Sequence, residues 1–155
     1  MRALFALFLL TAFSACRAEV PRACEDIRFE EQAFTVCHFA ADDPGLALFH
    51  THEDGAPYAD FDRLANAARA DGGDLVFAMN AGMYHDDRRP VDLYVEDGEE
   101  TARLVTRAGP GNFGLLPNGV FWVGADGQAH VTETLAYEAL SPEARFATQS
   151  GPMLV

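Results

Sequence analysis

The chain has 155 residues, of which 49% are hydrophobic and 23% charged, the range of one ordinary globular domain. That composition excludes a collagen-like chain, a long disordered tail and a multi-span membrane protein. With 11 Lys and Arg against 24 Asp and Glu the net charge is -13, which disfavours general binding to nucleic acid and leaves phosphate to be held by a local basic spot.

Met1-Arg2 precedes an apolar run from Ala3 to Phe13 and the small-residue stretch Ser14-Ala15-Cys16-Arg17-Ala18. A short positive start, an apolar middle too short for a bilayer and small residues at a cut site make residues 1–18 read as a secretory signal peptide rather than a buried first helix. Cleavage after Ala18 is one outcome. The other is a lipoprotein box, Phe13-Ser14-Ala15-Cys16, with Cys16 as the lipidated first residue and the sole source of membrane attachment. Either way the mature protein is expected to be periplasmic or secreted, and residues 19–155 are expected to form the N-terminal part of a single domain.

Export implies an oxidising compartment in which Cys24 and Cys37 can pair. Their flanks, Asp26 to Phe29 and Ala33 to Val36, read as two strands of a hairpin that such a disulfide would staple; two free buried thiols are the alternative. Gly45 to His50 reads as a strand. From Ala59 to Ala70, Phe61, Leu64, Ala65 and Ala68 recur at helical spacing, and Gly72-Gly73 closes the helix. Asp74 to Met79 is a short apolar run that reads as a buried central strand. Val91 to Glu96 alternates, Asp97-Gly98 signals a turn, and Thr101 to Thr106 returns. Strand–turn–strand follows over Phe113 to Leu116 and Val120 to Val123, then Ala129 to Thr132, a short helix over Thr134 to Leu140, and strands at Arg145 to Thr148 and Met153 to Val155. The sum predicts an α+β domain on a mostly antiparallel mixed sheet, with one clear helix near the N-terminus. The apolar end Met153-Leu154-Val155, with no turn after it, reads as a chain broken off inside its domain.

His50 and His52 would share one face of a strand, with Glu53 and Asp54 following, a pattern similar to the zinc sites of metallo-hydrolases. Gly55 stands where a further ligand is wanted, and only His38, His85 and His130 remain, so a strand end running into a turn is the plainer reading and no metal or other cofactor is expected. The Gly109 to Asn112 loop lacks the Lys of a phosphate loop, and Thr148 stands where a nucleophile elbow at Ser150 needs glycine. The loop Asn80 to Pro90 is more suggestive. Asn80 can donate and accept, Gly82 admits close backbone approach, and Arg88 with Arg89 offers bidentate phosphate contacts. A solvated loop with local ion pairs would look the same.

Five blocks then carry a resemblance: Asn80-Ala81-Gly82-Met83-Tyr84, Arg89-Pro90-Val91, Gly109 to Phe113, Pro117-Asn118-Gly119-Val120-Phe121, and Ala147 to Val155. In this order they resemble the bacterial branch of the phosphodiester glycosidase family. The resemblance implies an exported hydrolase that cleaves the sugar–phosphate bond of a glycosyl phosphodiester, such as one bearing N-acetylglucosamine. It also implies a continuation holding an acidic Asp-Gly-Gly motif, so no catalytic residue is assigned within 19–155. It suggests Arg88 or Arg89 for phosphate, Asn80, Asn118 and Gln149 for sugar hydroxyls or the acetamido group, and Gly82 and Gly151 for backbone approach, with Ser150 beside them. Asp92 stands where the family has glycine and would compete with phosphate for the arginines. The partner is then a carbohydrate phosphodiester or glycan and not nucleic acid; a non-catalytic glycan- or phosphoglycan-binding envelope protein is the alternative.

Overall fold

The computed structural model describes residues 23–111 and 114–154; the expected signal peptide, Cys16 and Val155 lie outside them. The described residues fall into two compact units, divided after Cys37.

The first unit is a hairpin of β1 (Cys24–Phe29) and β2 (Gln32–Cys37). Glu30 and Glu31 turn the chain with positive φ angles of 47° and 66°. The antiparallel register sets Cys24 opposite Cys37, and the two are joined by a disulfide. A lone two-stranded hairpin is marginal in water. The bond closes a short loop in the unfolded chain and so removes entropy from it.

The second unit is built on α1 (Phe61–Ala70), β3 (Tyr94–Glu96), β4 (Glu99–Ala102), β5 (Gly119–Gly124), β6 (Ala129–Glu133), α2 (Thr134–Leu140) and β7 (Ala144–Ser150). The five strands form one sheet in the order β4-β3-β7-β5-β6, antiparallel at every pairing. The expected α+β class therefore holds. Asp60 caps α1 by accepting from the Arg63 amide at 2.8 Å, and Gly72, at φ 82°, ends it as the glycine pair implies. Helix α2 matches its expected bounds. No described helix is long and apolar enough to cross a membrane.

The sheet has two unlike faces, because alternate residues of each strand point opposite ways. One face carries Val120, Trp122, Ala147 and Val95 and is closed by Tyr137 of α2, with Leu93 in the same core. Trp122 donates to the Thr132 hydroxyl at 3.0 Å, so its one polar atom is satisfied inside this core. The other face carries Tyr94, Val123 and Phe146, all buried, and Phe121 and Val131, both exposed, with Tyr94 and Phe121 on either side of Thr148.

Several expected strands are absent. Residues 74–79 are irregular, with Val76 and Met79 72% and 70% exposed, so this run is neither a strand nor buried. Apolarity signals a tendency to be buried, but a strand also needs a neighbour to take its backbone hydrogen bonds, and all five places in this sheet belong to other segments. Residues 45–50 likewise form no strand; an isolated bridge joins Thr51 to Pro57 nearby. Strand β4 stops at Ala102, and residues 114–116 and 153–154 are irregular.

Reduction of the disulfide is expected to cost the hairpin about 3 kcal/mol. Amide exchange from Glu25 to Val36 should then accelerate by about two orders of magnitude. Unchanged exchange would mean that the strands hold without the bond.

Candidate functional site

The 80–92 segment folds back on itself. Tyr84 bridges Pro90, the Val91 amide donates to the Met83 carbonyl, and the His85 amide donates to that of Arg89. Arg88 sits at the tip with φ 72°, a conformation awkward for a side-chain-bearing residue. Two contacts support it. Its guanidinium lies 5.1 Å from the centre of the Tyr84 ring, and its carbonyl accepts from His50 Nε2 at 2.9 Å. A carbonyl can only accept, so that nitrogen of His50 carries a proton; in the neutral ring Nδ1 accepts from the Thr51 hydroxyl at 2.8 Å. Both ring nitrogens of His50 thus bond to protein, and His52 Nδ1 accepts from the Asp54 amide. Asp54 is in turn held by Arg63 at 2.6 Å. No group of three metal-capable side chains gathers among the described residues.

Arg89 donates through Nε to Asp87 at 2.7 Å. That hydrogen bond is the main reason the Asp87 carboxyl lies below its ordinary pKa. The carboxylate that engages the loop arginine Arg89 is therefore Asp87, and not Asp92 as the sequence suggested. Asp92 is half-buried, and burial raises its pKa, opposed in part by nearby His85.

Beside this loop the exposed end of the sheet forms a cleft of about 230 Å3. Its walls come from segments far apart in sequence: Ala81 from the loop, Gly119 and Phe121 from β5, Val131 from β6, Thr148 and Ser150 from β7, and the 152–154 stretch beyond it. No lining side chain is charged. The Met153 amide donates to the Pro117 carbonyl at 2.8 Å, which ties the Ser-Gly-Pro segment to the turn before β5. Gly82 lies against β7, where an added Cβ would stand 3.7 Å from the Gln149 carbonyl oxygen, an ordinary contact. The close approach that Gly82 makes is to this strand.

The eight residues that the sequence singles out fall into three groups. Ser150 lines the cleft, with Gly82 and buried Gly151 beside the strand end. Asn80, Arg88 and Arg89 are exposed on the loop. Asn118 and Gln149 lie among the contacts of α2. The Asn118 carbonyl accepts from both the amide and the hydroxyl of Thr134, each at 3.1 Å, while its side-chain Oδ1 is buried without a partner among the described residues. The Gln149 amide is fully buried and fully used. It donates to the Val105 carbonyl at 2.7 Å and the Thr134 hydroxyl at 3.0 Å, and accepts from the amides of Val105 at 3.0 Å and Leu93 at 3.4 Å. Two donors and two acceptors exhaust a glutamine, so this side chain has nothing left for a sugar. Sequence reasoning passes over Phe121 and Thr148, although strand alternation puts Thr148 on the face of Ser150 and opposite to Gln149.

The geometry defines an antiparallel α+β domain with an uncharged cleft on the open half of one sheet face. No known protein-family pattern and no solved structure matches the chain. Over 83 residues it is 40% identical to YigE, an uncharacterized protein of Escherichia coli strain K12, a match covering 54% of this chain and 32% of that protein. The chain thus spans about a third of the length of this curated relative.

Two outcomes follow from the geometry. Gln149→Leu leaves several buried backbone groups unpaired, and should lower the unfolding free energy by about 3 kcal/mol or more in urea titration. A loss below about 1 kcal/mol would mean that water or rearrangement replaces the amide. For Asp92 the folded state binds the proton more tightly than the unfolded chain. Its contribution to stability is therefore full below the ordinary carboxyl value of 3.8 and falls as pH rises through that value to the raised one. Asp92→Asn should raise Tm at neutral pH and leave it unchanged at strongly acid pH; an equal gain at both would remove titration as the cause.

Proposed function

We propose that this chain is part of an exported hydrolase resembling the phosphodiester glycosidases, and that it acts on the sugar–phosphate bond of a glycosyl phosphodiester. The observation that supports the reading is convergence. Three of the five blocks that carry the resemblance, those at 80–84, 117–121 and 147–155, supply lining to one cleft; those at 89–91 and 109–113 do not. Segments that share a motif for reasons of folding alone need not meet around an opening.

The bond defines what such a site must do. Cleavage between the sugar carbon and the phosphate oxygen builds oxocarbenium-like charge on the sugar. The phosphate departs as a stable anion, so protonation of the leaving group matters less than orienting the ring and bringing water to it. Asn80, exposed beside Ala81, can supply a donor and an acceptor at the rim. Ser150 supplies a hydroxyl inside.

One observation favours a second reading, a non-catalytic envelope protein that binds a glycan or phosphoglycan: no carboxylate lines the cleft. A chromogenic aryl phosphodiester of N-acetylglucosamine separates the two. Protein expressed from its full reading frame should release the free sugar, and Asn80→Ala should lower kcat/KM at least about tenfold, or roughly 1.4 kcal/mol. Binding without release supports the second reading; neither binding nor release removes both.

A further inference from the structure

The floor of the cleft combines one aromatic ring with two hydroxyls. The register sets Phe121 between Thr148 on β7 and Val131 on β6, with Gly119 opposite Ser150 one step along. Phe121 is 47% exposed, although its neighbours in β5, Val120 and Trp122, are buried. Thr148 is 7% exposed, yet its hydroxyl makes no hydrogen bond to any described residue, and neither does that of Ser150. Neither hydroxyl is among the buried polar atoms left without a partner, so both reach solvent and are open to water or a ligand. Met153 forms a wall, its sulfur 3.3 Å from where a Cβ on Gly119 would stand.

Size and charge narrow the occupant. At about 230 Å3 the cleft lies below the roughly 300–1,000 Å3 of pockets for drug-sized ligands, and suits a single ring. With no charged side chain in its lining, it offers an anion only neutral hydrogen bonds and no opposite charge in exchange for its hydration. The negative face of an aromatic ring attracts partly positive hydrogens, such as those on the C–H face of a sugar. Hydroxyls spaced two residues apart on one strand can exchange hydrogen bonds with groups at the rim of that same ring.

We propose that this cleft is a subsite for one neutral pyranose ring, stacked on Phe121 and hydrogen-bonded by Thr148 and Ser150, with any phosphate left outside. The assignment rests on the phosphodiester reading for its choice of sugar, while the site itself rests on the geometry of β5, β6 and β7. It moves sugar recognition from Asn118 and Gln149, which serve the fold, to the opposite face of the same strands.

The test is titration of the protein with the methyl glycoside of N-acetylglucosamine, followed by amide chemical shifts and by calorimetry. Shifts are expected at Phe121, Thr148 and Ser150, and inorganic phosphate should not compete. Phe121→Ala should weaken binding about tenfold, as the loss of one aromatic contact implies. Phe121→Tyr should bind within about threefold of the parent, since the ring is kept. Thr148→Val should weaken binding about three- to tenfold through its hydrogen bond. Because Phe121 is exposed, its variants can be checked for an unchanged fold by the same spectra. The proposal falls if the glycoside fails to bind at high millimolar concentration, if Phe121→Ala binds as well as the parent, or if phosphate displaces the sugar. Its failure is separable from that of the proposed activity. Diester cleavage that is indifferent to Phe121 would sink this site and keep the hydrolase. Sugar binding through Phe121 without cleavage would do the reverse.

Discussion

The second unit depends on the buried amide of Gln149. Strand β7 lies at the centre of the sheet with β3 and β5 on either side, so its own backbone is already paired. Its Gln149 side chain reaches the Val105 amide and carbonyl, the Leu93 amide and the Thr134 hydroxyl. A single side chain thereby holds the stretch after β4, the entry to β3 and the first turn of α2 against one strand. Each of these is a place where regular backbone pairing runs out, and where a buried amide or carbonyl would otherwise lack a partner. Thr134 extends the arrangement, because its amide and hydroxyl both reach the Asn118 carbonyl just before β5. These bonds fix where α2 sits, and Tyr137 of the same helix closes the apolar core over Val120 and Trp122.

That arrangement makes the other face available. Since Gln149 turns toward α2, its neighbours Thr148 and Ser150 must turn away from it. On this second face Tyr94 packs near the His50 ring at 5.8 Å, and Arg145 donates to the Ala41 carbonyl at 3.0 Å. Across Thr148 from Tyr94, Phe121 and Val131 stand uncovered. His50 belongs to both matters, because the ring beside Tyr94 also carries the tip of the 80–92 loop through the Arg88 carbonyl. The loop is therefore positioned by a residue thirty-eight places earlier in the chain, and not by pairing along its own length alone.

Local patterns were legible wherever local physics decides. The apolar positions from Phe61 to Ala68 and the Gly72-Gly73 pair identify α1, because helical spacing and glycine stops are properties of nearby residues; the Asp60 cap was not read. The β1–β2 hairpin and its disulfide could be read from Cys24, Cys37 and the alternating flanks between them. The bounds of α2 followed from the stop before Pro142. The run 74–79 could not be read in this way. Its composition satisfies a buried strand, but pairing is decided by segments far away, and none of the described strands lies beside it. The site was half legible for a related reason. The blocks around Asn80, Asn118 and Gln149 include residues that line the cleft, but polar side chains were preferred over their neighbours. Glutamine and asparagine attract attention as ligand-binding groups, yet the same donors and acceptors are what a sheet needs to satisfy its own interrupted backbone. Alternation along β7, applied to residues 148–150, separates the two uses.

Charge gives the arrangement its last constraint. A chain of net charge -13 repels an anion before contact. Of the two adjacent arginines, Arg89 does little to offset this, since it is bonded to Asp87, while Arg88 keeps its charge over the neutral Tyr84 ring and is a single cation outside the cleft lining. Under the proposed function, a phosphodiester would find its favourable contacts chiefly in its uncharged portion, through burial against Phe121 and hydrogen bonds in a cleft whose lining carries no charge. On that proposal the ring is recognised first, and the position of the phosphate follows from how the ring is seated.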